Sequence, residues 1–409
     1  MTNNNNFKPG GTGVPPATPA SLAKHVLPAF LAACAMAGLS ALPAQAGEGD
    51  TFRPVLQYYY AHDDNLFRLA DSTTPYSAGR SDSYQSLGAG FDLDWKLGRQ
   101  QILVSALANQ TKYRKYSLLD YDGKNGTAEW KWQLGNRLRG NLGTDYRVYQ
   151  GTYLDTTGLV GNVRTQRRHY GSATWWFHSN WEAELRHSIA TQDYSDVAQA
   201  NNNYDQDDTT VGVFYKGGQM QRLGLEYSTL DGRYPDRTNP LLATRYSRDA
   251  FSLVANWLPT GKTQLKARIG RVERKDNAAN RRNFSGINAR LDMNWVPTGK
   301  TLFNLAAYRN LENSELGGAD SEEITGLNGG VQWQVLPKVW LGANLTLEQH
   351  QYNGLNLDED LNTAGLSATY QPWDNASLSL NLNKQQRRSN ITTREFDATT
   401  VSISALVRF

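Results

Sequence analysis

A single cysteine, Cys34, stands in a chain of 409 residues, so no disulfide framework and no cysteine-rich metal site can be built. Long apolar runs are scarce as well. Charged residues make up 20% and the mean hydropathy is below zero, which leaves no room for a bundle of transmembrane helices of about 20 apolar residues each. Charge of one sign is also missing. Lys plus Arg number 42 against 39 Asp plus Glu, a formal +3 that gives no nucleic-acid footprint. What the chain does have is 21 Tyr, 11 Trp and 36 Gly. All-β barrels of this length can be one domain.

Residues 1–46 differ from everything after them. A tract rich in Asn, Pro and Gly leads to Lys24 and His25, then to the apolar run Val26 to Leu42, and then to Ala44-Gln45-Ala46. A positive flank, a short apolar core and A-x-A make a secretory signal with cleavage expected after Ala46. The competing reading is Leu31-Ala32-Ala33-Cys34 as a lipoprotein box, with Cys34 lipidated. Cleavage at Ala46 would remove Lys8 and Lys24 and bring the +3 formal charge to +1.

From Thr51 onward the chain alternates. Ile287, Ala289, Leu291, Met293 and Trp295 interleave with Asn288, Arg290, Asp292 and Asn294. Leu87, Ala89, Phe91, Leu93 and Trp95 do the same with Gly88, Gly90, Asp92 and Asp94. Such alternation gives a strand one apolar and one polar face. The stretch Ile102 to Ala108 fits either phase. Short turns recur about every 40 residues, at Gly98, Gly135-Asn136, Ser179-Asn180, Gly217-Gly218, Gly261-Lys262, Gly299-Lys300, Pro337 and Asp374-Asn375. Long polar stretches such as Asp193 to Asp208, Asp231 to Arg245 and Gly354 to Asp360 lie between them. The count predicts about eighteen antiparallel strands with both termini on the short-turn side.

A soluble sandwich or propeller also alternates, so the aromatic residues decide. All 11 Trp lie near short turns, as a girdle at a membrane interface requires. Trp95, Trp130, Trp132, Trp257, Trp295, Trp333 and Trp373 are the girdle candidates. Tyr113, Tyr149, Tyr194 and Tyr308 sit towards the opposite strand ends, as a second girdle would. The chain closes on Val401, Ile403, Ala405, Val407 and Phe409, which resembles the C-terminal insertion signal of bacterial barrels. The expected fold is an all-β transmembrane barrel over residues 47–409, in the bacterial outer membrane. At sixteen to eighteen strands such a barrel leaves an aqueous channel. No segment is left over for a separate plug domain.

Catalytic motifs are weak. Gly261-Lys262-Thr263 and Gly299-Lys300-Thr301 end like a P-loop, but the required upstream glycines are Asn256 and Asn294 and a strand follows. His187 follows the outward phase and His350 the lumen phase beside Glu348, neither with a nucleophile motif. No enzyme, cofactor or metal is expected; the Asp residues at 193, 196, 205, 207 and 208 read as a solvated loop. The lumen phase carries Arg137, Arg139, Arg147, Arg186, Arg222, Arg248, Lys266, Arg268 and Arg290. On the same phase are Asp92, Asp94, Glu129, Asp145, Glu182, Glu184, Glu226 and Asp292. Such charges can cross-link the wall, or they can favour anionic and hydroxylated cargo, because Arg pairs with carboxylates and aromatic faces stack on sugars.

The stretch Tyr58-Tyr59-Tyr60-Ala61-His62-Asp63-Asp64-Asn65-Leu66-Phe67-Arg68-Leu69, the Trp-x-Pro-Thr-Gly-Lys turns and terminal Phe409 resemble the EpsL-type outer-membrane proteins of exosortase-associated exopolysaccharide operons. The D-D-N segment also occurs in other porin-like barrels. The resemblance implies a role in exopolysaccharide production, as the outer-membrane passage for the polymer. It carries no catalytic residues. The implied partners are outer-membrane lipid and lipopolysaccharide, the polysaccharide cargo, the barrel-assembly machinery and periplasmic polysaccharide-synthesis components, with no nucleic acid. The alternatives are a general or sugar-selective uptake porin and a non-conducting anchor for surface polysaccharide.

Overall fold

Alternation produces eighteen strands among the described residues of a computed structural model, which covers 51–154, 161–238, 242–277, 283–314, 316, 318–319 and 321–409. The signal segment with Ala46, and Cys34, lie outside the described residues. The first nine strands are β1 (Phe52–Asp63), β2 (Asp82–Leu97), β3 (Gln100–Tyr113), β4 (Tyr121–Leu134), β5 (Leu138–Gln150), β6 (Val163–His178), β7 (Trp181–Tyr194), β8 (Tyr204–Gly217) and β9 (Met220–Arg233). The rest are β10 (Arg245–Thr260), β11 (Thr263–Asp276), β12 (Phe284–Thr298), β13 (Thr301–Asn313), β14 (Ser321–Leu336), β15 (Val339–Tyr352), β16 (Asp358–Trp373), β17 (Ala376–Ser389) and β18 (Phe396–Arg408). Every strand pairs antiparallel with its chain neighbours, and β1 pairs with β18 as well as β2, so the sheet closes. Closure removes the unpaired edges that a bilayer would not tolerate. At the seam, Phe409 N donates to Pro54 O at 2.9 Å.

The register assigns each residue to a face, because cross-strand partners point the same way. Leu87, Leu142, Leu185, Leu225, Leu253, Leu291, Leu345 and Leu380 all face outward and are exposed. An apolar surface of that extent belongs in lipid, not in water. Buried polar groups occur on the inner face instead, among them Asp82, Glu182, Glu226 and Glu359. The barrel is therefore inside-out relative to a soluble domain. The ambiguous stretch resolves, with Ile102, Val104 and Ala106 facing lipid and Leu103, Ser105 and Leu107 facing the lumen.

Eight short turns stand at one end with the start of β1 and the end of β18, and the long connections stand at the other. In an outer-membrane barrel these are the periplasmic and extracellular ends. Both Thr-Gly-Lys-Thr segments are turns of one design. Thr260 Oγ1 meets Thr263 Oγ1 at 3.0 Å, and Thr298 Oγ1 meets Thr301 Oγ1 at 3.2 Å. Lys262 Nζ then reaches the next turn, donating to Pro297 O at 2.8 Å. The lysine links periplasmic turns and has no phosphate cradle around it.

Three expectations change. Strands of 12–16 residues run well past the apolar band, so Asp193, Asp205, Asp207 and Asp208 lie in β7 and β8, not in a loop. A span needs only about 9–11 residues, and the polar remainder keeps its ladder above the membrane. Nine of the 11 Trp face outward, including all seven girdle candidates, but Trp176 and Trp340 face inward. Tyr113, Tyr149, Tyr194 and Tyr308 form no outer girdle. Each points into the barrel, opposite Tyr84, Arg164, Arg164 and Arg290 respectively. Their phase follows that of the strand they end, and those strands place them beneath the loops.

Candidate functional site

Three carboxylates anchor the charged part of the lumen. Glu182 and Glu184 on β7 and Glu226 on β9 share the inward phase across β8. Glu182 and Glu226 are each 2% exposed. A charge held that far from water must be paired. Glu182 faces Arg222 at 3.1 Å, Lys216 at 3.4 Å and Arg139 at 3.8 Å. Glu226 faces Arg268 at 2.5 Å and Arg186 at 2.9 Å. Glu184 pairs with Arg222 and lies 3.8 Å from Arg186. Five cations thus surround three carboxylates, and the cluster keeps a positive excess.

Two aromatic rings complete it. Trp176 Nε1 donates to Glu182 Oε2 at 2.7 Å, with Arg139 and Lys216 at 4.5 and 5.2 Å from its ring centroid. Phe214 is fully buried under Arg222, whose guanidinium carbon is 3.5 Å from the ring centroid. A Cβ at Gly224 would come within 2.1 Å of the Val213 carbonyl and 2.7 Å of the Phe214 ring. Glycine there lets the ring lie against the wall without projecting into the channel.

The other predicted lumen residues, Arg137 apart, also sit on the inner face, but outside this cluster. Arg248 comes within 3.9 Å of Asp208, and Arg290 pairs with Asp292 at 2.7 Å. Asp92 accepts from Ser105 Oγ at 2.8 Å and lies 3.4 Å from Arg408. Asp94 accepts from Gln101 Nε2 at 2.7 Å, and Glu129 from Asn141 Nδ2 at 2.6 Å. Among the described residues Arg147 and Lys266 make no ion pair and are exposed on the inner face, whereas Arg137, also without an ion pair, lies exposed in the β4–β5 turn outside the strands. Asp145 shares the face of Arg147 and has no ion pair either. His350 stands 3.4 Å from both Glu322 and Glu348. Glu348 also accepts from the Tyr308 hydroxyl, and among the described residues no serine, threonine or cysteine is hydrogen-bonded to His350.

Cations and carboxylates concentrate on β5–β12. The facing arc, β15–β18, presents hydroxyls and carboxamides through its middle. Thr369 meets Ser379 at 3.0 Å, Asn381 donates to Ser402 at 3.4 Å, and Asn328 on β14 donates to Thr346 at 2.7 Å. Charged residues alone had marked the lumen in the sequence, and this second wall went unmarked. Its signal was the run Ser379, Asn381, Asn383, Gln385 at period two.

The extracellular mouth is partly covered. The D-D-N-L-F-R segment forms the start of the β1–β2 connection, with Arg68 at φ 53°. Arg68 Nη1 donates to Asp63 Oδ2 at 2.9 Å, and its Nε donates to Gln385 Oε1 at 3.0 Å. Asn65 closes the turn, with its Nδ2 donating to Leu69 O at 2.9 Å and Asp397 O at 3.0 Å. Phe67 packs edge-on to Tyr76, Tyr116 and Tyr153, each at 4.9 Å. Tyr153 belongs to the β5–β6 connection, and the next residue, Leu154, reaches β17, where Arg387 Nη1 donates to its carbonyl at 2.7 Å. Leu154 also packs on Leu361, Phe396 and Ala398. The described start of this connection, as far as Leu154, therefore crosses a chord of the mouth, with Phe67 as its keystone. Burial holds the Tyr153 phenol above its ordinary value, so it stays neutral throughout the physiological range. Phe67→Ala should leave the barrel folded and raise its single-channel conductance, because a buried aromatic is worth about 3–5 kcal/mol to the packing it holds. An unchanged conductance would show that this cluster does not narrow the path.

The family described as "Putative beta-barrel porin 2" matches residues 244–409. No curated protein matches the chain. Among solved structures, the outer membrane protein opdK from Pseudomonas aeruginosa is similar at 13% identity and a TM-score of 0.51, covering 88% of this chain and 99% of its own. Pseudomonas aeruginosa OpdQ (12% identity, TM-score 0.47) and Acinetobacter baumannii OccAB3 (10%, 0.48) each cover 88% of this chain and 97% and 99% of their own. Identities this low speak to fold alone. With the lipid-facing belt and the closed sheet, the chain is a porin-like β-barrel of eighteen strands, integral to the bacterial outer membrane.

Proposed function

We propose that this barrel is an outer-membrane channel for exopolysaccharide on its way out of the cell. The observation that carries the reading is the division of the lumen into a hydroxyl and carboxamide wall on β15–β18 and an Arg-rich wall on β5–β12. A hydrated sugar chain exchanges hydrogen bonds with such walls at little net gain per contact, so it can move without being held. The positive excess favours polymers with carboxylates. The outward direction comes from the resemblance to EpsL-type proteins, as do periplasmic synthesis components as partners. The barrel would bear no catalytic step, and the push would come from synthesis upstream.

In a strain lacking the protein, polymer is expected to fall in the medium and at the cell surface and to accumulate in the periplasm. Unchanged secretion would remove the export reading. A second reading, uptake of short saccharides, is favoured by the chord that Leu154 and Tyr153 draw across the mouth, which suits small solutes better than a polymer. It predicts intact secretion and slowed growth on oligosaccharides as the carbon source.

A further inference from the structure

We infer that the extracellular half of the lumen holds a built binding site for a short saccharide, separate from the charged cluster near the periplasmic end. A cavity of about 470 Å³ opens there between β6 and β13, within the usual range for small-ligand sites of roughly 300–1,000 Å³. Its roof is Asn202 of the β7–β8 connection and Tyr234 of the β9–β10 connection, which are joined where Asn203 Nδ2 donates to Asp236 Oδ2 at 2.7 Å.

Carboxamides line it, together with the charged side chains of Arg164, Arg248 and Glu312. Three of the carboxamides are braced on the wall by one end and offer the other. Gln166 Nε2 donates to Gln192 at 2.6 Å, leaving the Gln166 carbonyl oxygen without a protein partner among the described residues. Gln206 Nε2 donates to the Tyr246 hydroxyl, leaving its own oxygen likewise. Asn288 Oδ1 accepts from Leu311 N at 3.2 Å and keeps its amide nitrogen available. The side chain of Asn310 has no protein partner at either end. Leu230, packed on Tyr234 and Tyr246, supplies an apolar floor.

Donors and acceptors in alternation above an apolar patch are what a sugar ring matches, with hydroxyls at its edge and C–H groups on its face. Three half-satisfied carboxamides, and a fourth (Asn310) with no protein partner, would be poor lining for a site with no polar ligand. The use of the site rests on the saccharide-channel reading, whereas its existence is tested without it.

The test is ion current through the purified full-length barrel in a planar bilayer, with maltotriose or polyethylene glycol of matching size added on the extracellular side. Transient blockades by maltotriose and none by polyethylene glycol are expected, since the polyether fills space but has no array of hydroxyls. Asn310→Leu breaks no protein hydrogen bond and should shorten the blockades. The double change of Asn310 and Gln206 to Leu should shorten them about tenfold, the effect of losing two neutral hydrogen bonds. The potassium chloride conductance should stay as it was. Blockades absent, equal for polyethylene glycol, or indifferent to both variants would overturn the site. Polymer trapped in the periplasm of the deletion strain, together with absent blockades, would leave the export reading standing and the site refuted.

Discussion

Changing Glu226 to glutamine should destabilise the folded barrel by about 3 kcal/mol, at the low end for a broken buried ion pair because Arg268 stays partly in water. The change leaves Arg186 and Arg268 facing each other across β9 with no carboxylate between them. A urea titration of barrel reconstituted in phospholipid vesicles checks the stability, and reversal potentials in a salt gradient check the charge, which should shift toward anions. The paired change Glu226→Leu with Arg186→Met should recover much of the loss, because removing both partners leaves less charge uncompensated. If Glu226→Gln alone unfolds no earlier than the parent, the cluster is lumen chemistry only and does not hold the wall together.

The second large effect is on the outer face. Leu291 lies near the middle of β12, points to lipid and is 49% exposed. Leu291→Arg should cost about 2–4 kcal/mol, the usual penalty for a guanidinium at the bilayer midplane of a barrel. Asn381→Arg, on the inner face, should cost less than about 1 kcal/mol, since that side chain meets water. The same urea titration reads both. Equal costs would mean that the assignment of faces is wrong.

Much of this was legible in the sequence. The spacing of Gly98, Asn136, Asn180, Gly218 and the later turns fixes the strand number and the side of the termini, because a hairpin must reverse at each. Phase placed Arg139, Arg186, Arg222 and Glu182 on one face, since period two carries along an unbroken strand. It could have placed two more residues. Trp175 and Trp176 are consecutive and cannot share a face, and Tyr149 has the parity of Arg147. Reading Tyr149 as an outer girdle residue put position along the strand ahead of phase.

Other features had no local signal. Phase puts Glu182 and Glu226 on the same face, but their convergence on one set of cations depends on the register across β8. The contact between Leu154 and Arg387 joins residues 233 apart. The D-D-N-L-F-R segment is conspicuous in sequence, but its role as a turn packed in the barrel mouth follows only once Phe67, Tyr116 and Tyr153 are brought together. The carboxamide cavity escaped for a chemical reason. Asn and Gln carry no charge to mark them, and both are common in turns and loops.

The most direct test of the account is electrical. Full-length protein, purified and inserted in a planar bilayer, should give discrete conductance steps with a preference for anions, set by the positive excess on β5–β12. A barrel that inserts and shows no conductance at any voltage would contradict a channel and favour a structural anchor for surface polysaccharide.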